Sequence, residues 1–595
     1  MNRWKSKTWP GACVASILVL AYMLIWWNRF TGLSDGLFLM HAQQVLAGRI
    51  PYRDFYLPIP PLTVLKTALV VKLFGSTLMA PRLIGMLERT CLAGALFLWL
   101  NFLFHRNIAF LATVASMIVF CGDLADPLCS YHHDSVYLSV AAGLLASLLI
   151  RETCGWPLAS AGLCGFFCGL TFVTKQTTGT GITLTLFTLI VLCYSGRSKL
   201  VLIAGLFTAG WLLPVVAVGS WLASNAALAS AVQIIFGKGT TSKGPLLSVL
   251  SRPLAAPIAG GMYAEPCIAA ILLLLAAWLL TRSGRYAKPL AAACAIVAAV
   301  ATGRHFFPNI EPLATYLGLF GSLAISAYYL VERLRGPLDA QQKQNWILSG
   351  TSFTVSYMLS LSWAAYQPMA IPSLAFLLCF ASARVGSRVR QGITASAVML
   401  AIVAMLLKVS FPYQWVSWTE PEIFQATLVS SLPELRGMRL SPIALEITKQ
   451  ATSAIDSACA PGERLFAYPY LPLLHVLSHR PPATYSYLPW FDVTPDYVAE
   501  ADAERLVEQP PCAIAYLALP SETIDTSEKL FRGKADSGQR KLVLAVTSLA
   551  RKYTVLLDRE LPGGARFTIY GREPRETSLT VELESHLSHR NDPLR

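Results

Sequence analysis

Two aspartates, Asp35 and Asp54, lie in the first polar stretch that follows an apolar segment near the N-terminus. That apolar segment, residues 10–30, follows a basic start that includes Arg3 and Lys5. Because Lys and Arg collect on the cytoplasmic flanks of membrane helices, we expect a cytoplasmic N-terminus and both aspartates on the outer side. A carboxylate at the membrane surface can take the proton of an acceptor hydroxyl while a lipid-linked substrate is bound there. This placement predicts a membrane-embedded transferase.

The acidic candidates each have a structural alternative. Asp35 either acts as a base or caps a helix, and the two roles are compatible; Asp54 either acts on the substrate or pairs locally with Arg53. A second polar stretch, residues 122–134, ends in Asp134, which opens a predicted helix and is either its cap or a site residue. The weaker candidates in this stretch are possible metal ligands: Asp126, His132 and His133.

Several basic side chains lie near the predicted outer membrane face, where a phosphate leaving group would need positive charge. These donor-phosphate candidates are Lys66, Lys175, Arg304 and His305. Their alternative role is snorkelling to lipid headgroups. A further group in the second predicted helix (Arg82, Glu88 and Arg89) suggests an internal ion pair but predicts no function.

The elements that must position these residues are membrane helices. The chain has 595 residues, of which 54% are hydrophobic and 14% charged, which indicates a polytopic α-helical membrane protein. The net charge of +14 falls mostly in short loops between apolar runs, so topology explains it better than a nucleic-acid surface does. The apolar pattern predicts about thirteen spans, at residues 10–30, 80–104, 108–122, 134–151, 157–174, 178–194, 199–222, 266–281, 288–303, 310–331, 345–363, 366–383 and 391–409.

Alternating these spans from a cytoplasmic start places the basic loops inside and the candidate residues outside. The predicted membrane core is residues 1–409, with large outer loops at residues 31–61, 122–134 and 224–265. The first outer loop carries two short predicted helices. One follows a cap at Ser34 or Asp35 and ends at Gly48, and the other, residues 62–74, is too short to cross and suits the interface.

After the last span the composition becomes that of a soluble α/β or α+β domain, residues 410–575, followed by a polar tail at residues 576–595 that we expect to lack order. Predicted elements of this domain are strands at residues 464–468, 513–518, 541–546 and 554–557 and helices at residues 442–458 and 495–508. Among outer cysteines two pairings are conceivable, Cys121 with Cys129 or Cys459 with Cys512, and the sequence supports neither over the other.

The first outer loop also carries a family resemblance. The early Asp35, the run Gly-Arg-Ile-Pro-Tyr-Arg-Asp-Phe at residues 48–55 and the pair Pro60-Pro61 resemble C-type membrane glycosyltransferases (GT-C). The chain is most similar to the family 39-like group, which includes protein O-mannosyltransferases and lipid A aminoarabinose transferases. Residues 462–469 resemble the tail domain of such proteins. The resemblance covers the architecture of the whole chain, although its motifs are short.

The resemblance implies an inverting hexosyl- or pentosyltransferase in the bacterial inner membrane. The donor would be a sugar on a polyprenyl phosphate, and the acceptor a hydroxyl of a lipid, glycan or protein on the extracytoplasmic side. Asp35 matches the catalytic base, and dependence on a divalent cation stays open. Expected partners are the donor, the acceptor and membrane lipid, without nucleic acid. Three alternatives compete: a surface-polysaccharide polymerase or ligase, a polytopic lipid or sugar transporter, and a non-enzymatic assembly subunit.

Overall fold

The protein is mostly helical. The computed structural model describes residues 2–572, apart from 123–129, 152–155, 195–196, 238–241, 260–263, 281–286, 304–305, 362–369, 411–413, 416–417, 420–425, 534–535 and 562–563. In the part before residue 411 the helices are α1 (Asn2–Met23), α2 (Leu37–Leu46), α3 (Leu62–Phe74), α4 (Met79–Asn101), α5 (Arg106–Phe120), α6 (Tyr131–Ile150), α7 (Pro157–Thr174), α8 (Gln176–Cys193), α9 (Arg197–Ser224), α10 (Leu228–Phe236), α11 (Leu246–Ala259), α12 (Ala264–Leu280), α13 (Ala287–Gly303), α14 (Phe306–Arg335), α15 (Ala340–Ser360), α16 (Ile371–Arg384) and α17 (Ser387–Ser410).

Every segment predicted to span the membrane overlaps one of these helices. Among the described residues, seven helices are long and apolar enough to cross a membrane by length and composition: Met79–Asn101, Tyr131–Ile150, Pro157–Thr174, Gln176–Cys193, Ser198–Ser224, Glu311–Arg335 and Val389–Val409. Other predicted spans are shorter apolar helices, such as Arg106–Phe120. The protein is therefore a helical bundle with multiple membrane-span candidates, and the number thirteen stays a prediction.

The two short helices of the first loop lie where the sequence places them, and α3 has the predicted bounds. The predicted cap of α2 is wrong: its N-cap is Gly36, which makes no side-chain capping bond. Gly36 has a φ of 83°, a left-handed conformation that glycine adopts without a Cβ penalty. Asp35 accepts instead from the Gly36 N–H (2.7 Å) and faces Arg82. The carboxylate therefore bridges the backbone at the start of α2 and the Arg82 guanidinium.

Helices α7 and α9 pack at glycines. A Cβ on Gly165 would lie 1.9 Å from the Phe207 carbonyl oxygen, and one on Gly210 would lie 2.0 Å from the Gly162 carbonyl oxygen. Small residues let two membrane helices pack with their backbones in contact. This packing holds α7 against α9, and α7 ends one residue before Lys175.

We call the described residues from 426 to 572 the C-terminal unit. It contains β3 (Leu428–Val429), β4 (Arg439–Leu440), α18 (Pro442–Ala458), β5 (Leu465–Tyr468), α19 (Pro472–Ser478), α20 (Asp496–Glu508), β6 (Ala513–Leu517), α21 (Ser521–Phe531), α22 (Gly538–Ala550), β7 (Thr554–Glu560) and β8 (Arg566–Gly571). Before it, the short strands β1 (Gln414–Trp415) and β2 (Trp418–Thr419) pair antiparallel. Four strands form a sheet in the order β5-β6-β8-β7, parallel between β5 and β6 and antiparallel elsewhere. This unit therefore combines helices with one mixed sheet, and a separate soluble α/β or α+β domain over residues 410–575 stays a prediction.

Most predicted elements of this unit are present, but the strand predicted at residues 541–546 is wrong, because these residues lie in α22. Ser537 caps that helix by accepting from the Arg540 N–H, and Leu542, Val546 and Leu549 bury one helical face. Of the two conceivable disulfides, Cys459 and Cys512 are bonded. Cys129 lies outside the described residues, so the other pairing stays untested.

The C-terminal unit packs on the first loop. The Tyr56 N–H donates to the Tyr485 carbonyl (2.8 Å), the Tyr485 hydroxyl donates to the Tyr52 carbonyl (2.6 Å), and the Leu473 N–H donates to the Leu33 carbonyl (3.3 Å). Apolar side chains of the loop and of the unit share one buried cluster. The first loop, which the sequence places outside, therefore lies against the C-terminal unit at one end of the helix bundle.

Candidate active site

Asp35 lies in a buried ion pair at this end of the bundle. The Arg82 guanidinium, from the first turn of α4, donates through Nη2 to Asp35 Oδ2 and through Nη1 to the Arg29 carbonyl (2.7 Å). The side chains of Asp35 and Arg82 are each 5% exposed. An ionised carboxylate has about four acceptor sites, so Asp35 can still accept from a substrate hydroxyl after binding Gly36 and Arg82.

A cavity of about 60 Å³ borders Asp35, and Arg82, Pro81 and Tyr470 also line it. This volume suits a few water molecules rather than a sugar ring. Tyr470 belongs to the C-terminal unit, and burial, then the charges of Asp492 and Asp35, raise the pKa of its phenol. Tyr470 thus connects the Asp35 cavity with the region around Asp492.

A second polar cluster brings together two of the predicted site residues. The Lys66 ammonium, on α3, donates to Asp134 Oδ1 (2.7 Å) and to both oxygens of Glu88 (2.7 and 2.9 Å). The Thr63 hydroxyl donates to Asp134 Oδ2 (2.7 Å). Ser130 rather than Asp134 caps α6, so the capping alternative for Asp134 is wrong. Asp134 instead ties α6 to α3 through Lys66.

The third cluster is rich in lysine. Lys175, at the junction of α7 and α8, is buried, with its Nζ 3.1 Å from His132 Nδ1 and 5.6 Å from the centre of the Tyr131 ring. Burial and then the charge of Lys243 lower the pKa of Lys175 well below its usual value. The Lys243 ammonium lies 4.0 Å from a carboxylate oxygen of Asp492. We call Lys175, Lys243, His132 and Asp492 the lysine cluster.

Asp54 lies elsewhere in the loop. It accepts from the Ile50 N–H (2.7 Å) and pairs with Arg53 (2.8 Å), and its side chain is 29% exposed. The hydrogen bond from Arg53 lowers the pKa of the Asp54 carboxyl. These contacts close a turn in which Tyr52 has a φ of 68°. They favour the local-pairing role, and a catalytic role for Asp54 stays a prediction.

The described side chains do not fit a divalent cation. Within the described ranges, no group of three or more His, Cys, Asp or Glu side chains could hold a metal ion. Asp35 and Asp134 already bind the cations Arg82 and Lys66, and His133 is buried in the electrostatic field of Arg89, Lys408 and Lys66. Positive neighbours disfavour a second cation. Asp126, Arg304 and His305 lie outside the described residues, so their predicted roles are not tested.

The sequence names Arg82 and Glu88 only as part of a suggested ion pair without function, and it does not single out Lys243 or Asp492; in the structure Arg82 pairs with Asp35 and Glu88 with Lys66. Charged residues inside an apolar helix are rare and functional by default, so Arg82 and Glu88 carried a signal that could have found them. No local signal marks Lys243 or Asp492, because their contact joins segments about 250 residues apart.

Solved structures share this fold. The apo form of the Archaeoglobus fulgidus oligosaccharyltransferase matches with 13% sequence identity over 96% of this chain and 75% of that chain, at a TM-score of 0.51. The archaeal oligosaccharyltransferase AglB from A. fulgidus was solved in complex with an inhibitory peptide and a dolichol-phosphate. It matches with 14% sequence identity over 97% of this chain and 75% of that chain, at a TM-score of 0.48. ArnT from Cupriavidus metallidurans, bound to undecaprenyl phosphate, matches with 13% sequence identity over 96% of this chain and 100% of that chain, at a TM-score of 0.40. No family model and no curated protein matches this sequence.

The match at a TM-score of 0.51 shows that the chain shares the fold of the A. fulgidus oligosaccharyltransferase. The resemblance stated from the first loop is confirmed at the level of the fold. Identities of 13–14% are too low to indicate a shared substrate, so activity is argued from the site.

Proposed function

We propose that this protein is an inverting membrane glycosyltransferase that moves a hexosyl or pentosyl group from a polyprenyl phosphate to an acceptor hydroxyl. One observation carries the proposal. A buried carboxylate, Asp35, lines a cavity together with Tyr470, and Tyr470 lies in the electrostatic field of Asp492, which is 4.0 Å from Lys243. Lys175 is buried and close enough to Lys243 for the charge of Lys243 to lower its pKa. A base for the acceptor and positive charge for the leaving phosphate are the two groups that such a transfer needs.

In the proposed reaction Asp35 accepts the proton of the acceptor hydroxyl. The hydroxyl oxygen forms a bond to the anomeric carbon as the bond from that carbon to the phosphate oxygen breaks, so the anomeric centre inverts. Arg82 holds the Asp35 carboxylate in place through its guanidinium. The cavity beside Asp35 must widen to admit an acceptor, because its present volume holds only water-sized groups.

The lysine cluster is the proposed site for the donor phosphate. Burial of Lys175 next to Lys243 makes their combined positive charge costly, and an anion placed between them would offset that cost. Negative charge grows on the phosphate as the sugar departs, so these contacts strengthen in the transition state. Lys66 is a further proposed phosphate ligand; Asp134 and Glu88 position its ammonium, and a phosphate oxygen would compete with them.

The proposed location is the bacterial inner membrane, with the N-terminus cytoplasmic and about thirteen spans in residues 1–409. The C-terminal domain, residues 410–575, would face the periplasm or exterior. The disulfide between Cys459 and Cys512 supports this side, because disulfides persist in oxidising compartments. The acceptor is a lipid, a glycan or a protein hydroxyl.

The test is transfer of radiolabelled sugar from a panel of polyprenyl-phosphate donors by purified protein in nanodiscs. Wild type is compared with Asp35→Asn, which keeps the shape of the side chain but cannot accept a proton. Glu446→Gln, an exposed carboxylate paired with Arg559, serves as the matched control. We expect transfer by wild type and the control and a loss of about 100-fold or more in Asp35→Asn. Full transfer by a folded Asp35→Asn protein would remove Asp35 as the base.

A further inference from the structure

Arg532 joins the C-terminal unit to the segment that carries Lys243. It follows α21, and its side chain is 6% exposed. Its Nη1 donates to the Ser242 carbonyl (2.6 Å), one residue before Lys243. A second contact supports the same segment from within, since Arg252 Nη2 donates to the Lys243 carbonyl (3.1 Å). The backbone on both sides of the Lys243 side chain is therefore fixed by arginines.

The same guanidinium also fixes the segment that carries Asp492. Arg532 Nη2 donates to the carbonyls of Phe491 and Thr494 (2.9 Å each), and Nε donates to Asp496 Oδ1 (2.7 Å). Arg532 thus holds the backbone next to Asp492 and the backbone next to Lys243 with one planar group. A guanidinium has five donors in a rigid fork, so it can set the distance between two segments in a way that an ammonium cannot.

We infer that Arg532 is a positioning residue, through which the C-terminal unit places Lys243 beside Lys175 to complete the anion site. The inference rests on the proposed function, because it assigns the completed site to the donor phosphate. Arg532 touches main-chain carbonyls and Asp496, so its effect on the donor passes through Lys243 and Asp492. The C-terminal unit thereby becomes part of the donor site rather than only a cover on the first loop.

A matched arginine separates positioning from general support. Arg540 also binds acids within the C-terminal unit, Glu528 and Asp525, both at 2.7 Å, but its contacts stay inside that unit. Arg540→Met should lower stability and leave donor binding unchanged. Arg532→Met should weaken donor binding, and Arg532→Lys should weaken it nearly as much, because the ammonium keeps the charge but not the fork.

The experiment measures the Kd for a C55 polyprenyl monophosphate and the donor and acceptor KM values, with wild type and each variant in nanodiscs. Thermal unfolding of every variant is recorded alongside. We expect Lys243→Met and Arg532→Met to raise the Kd and the donor KM by about 10- to 100-fold and to leave the acceptor KM unchanged. The double variant of Lys243→Met and Arg532→Met should have a Kd no higher than that of Lys243→Met alone, since both changes remove the same interaction.

Either of two results would make Arg532 a general structural residue, and a third would separate the inference from the proposed function. One is an additive loss in the double variant, and the other is an equal rise in donor KM for Arg540→Met; either overturns the inference. If wild type binds the monophosphate, and Lys175→Met weakens binding while Lys243→Met and Arg532→Lys do not, the inference fails and the proposed function stands. Absence of binding and transfer in wild type would instead remove the proposed function itself.

Discussion

The two kinds of polar cluster at this end of the bundle differ in how charge is balanced. At Asp35 the carboxylate binds its own guanidinium, and at Asp134 and Glu88 two carboxylates bind one ammonium. The lysine cluster holds a buried lysine, Lys175, whose Nζ lies 3.1 Å from His132 Nδ1, and a partly exposed lysine, Lys243, which lies near the carboxylate of Asp492. In the first kind each cation is bound by at least one carboxylate, whereas the lysine cluster holds two lysines for one carboxylate.

This difference indicates which cluster holds structure and which receives an anion. Removing the cationic partner of a buried carboxylate lowers the unfolding free energy strongly, so we expect Arg82 and Lys66 to support the fold. A buried lysine with a lowered pKa, such as Lys175, reduces the stability of the folded protein. A bound anion offsets this loss, so such a lysine is a candidate for a binding site. Four predictions test this contrast.

The largest effect on stability is expected for Arg82→Met. The change leaves Asp35 buried without its guanidinium and frees the Arg29 carbonyl, which costs about 3–5 kcal/mol of unfolding free energy. Thermal unfolding in nanodiscs measures the loss. Adding Asp35→Asn to Arg82→Met should recover part of it, because the uncompensated charge is then gone. A single variant as stable as wild type would show that the ion pair does not support the fold.

Lys175→Met should affect donor binding more than stability, the reverse of what we expect for Arg82→Met. We expect its unfolding free energy to change by less than half of the Arg82→Met loss, because a methionine fits a buried site without a desolvated charge. Affinity for a polyprenyl monophosphate should fall about 10- to 100-fold. Equal destabilisation by the two variants, with donor affinity intact, would erase the contrast between the clusters.

The pH dependence of donor affinity gives a finer test. Burial lowers the pKa of Lys175, so its ammonium loses its proton at a lower pH than an ordinary lysine does. Donor affinity should therefore fall with rising pH already below the range in which an ordinary lysine loses its proton. The titration is run above about pH 7, where a phosphate monoester is already mostly a dianion and its own charge changes little. Lys175→Arg should abolish this fall, since a guanidinium stays charged over that range. The measurement is a titration of Kd against pH, and an identical slope in both proteins would contradict the assignment.

The smallest effect concerns an acid and base pair within the C-terminal unit, Glu528 and Arg540. The hydrogen bond from Arg540 lowers the pKa of Glu528 from 4.5 to about 2. A depressed carboxyl pKa contributes stability above the unfolded value, and this contribution is lost as the pH falls from about 4.5 toward 2. Unfolding of wild type should show that acid-side loss, and Glu528→Gln should show a flatter profile. The same slope in the variant would assign the loss to other acids.

The sequence could predict the elements whose signals are local. Residues 62–74 form a helix with the predicted bounds, because Pro60-Pro61 and Gly75 flank an apolar run. Residues 541–546 form a helix rather than a strand, and the apolar spacing of Leu542, Val546 and Leu549 already had the helical period.

The site was predictable only in part, for the same reason. Asp35, Asp134, Lys66 and Lys175 follow local patterns at the ends of predicted helices, so a sequence can nominate them. Their partners depend on tertiary packing: Asp35 pairs with Arg82 on another helix, and Lys243 meets Asp492 across most of the chain. A single sequence contains no signal for such contacts, so it nominates residues without showing how charge is balanced.

The most direct test of the account compares Asp35→Asn with Lys175→Met in two assays, binding of a polyprenyl monophosphate and transfer of a labelled sugar. The account predicts that Asp35→Asn binds the monophosphate like wild type and loses transfer, while Lys175→Met loses binding and recovers part of its transfer at high donor concentration. Normal transfer by Asp35→Asn, or normal binding by Lys175→Met, would contradict the division between a carboxylate for the acceptor and lysines for the donor phosphate.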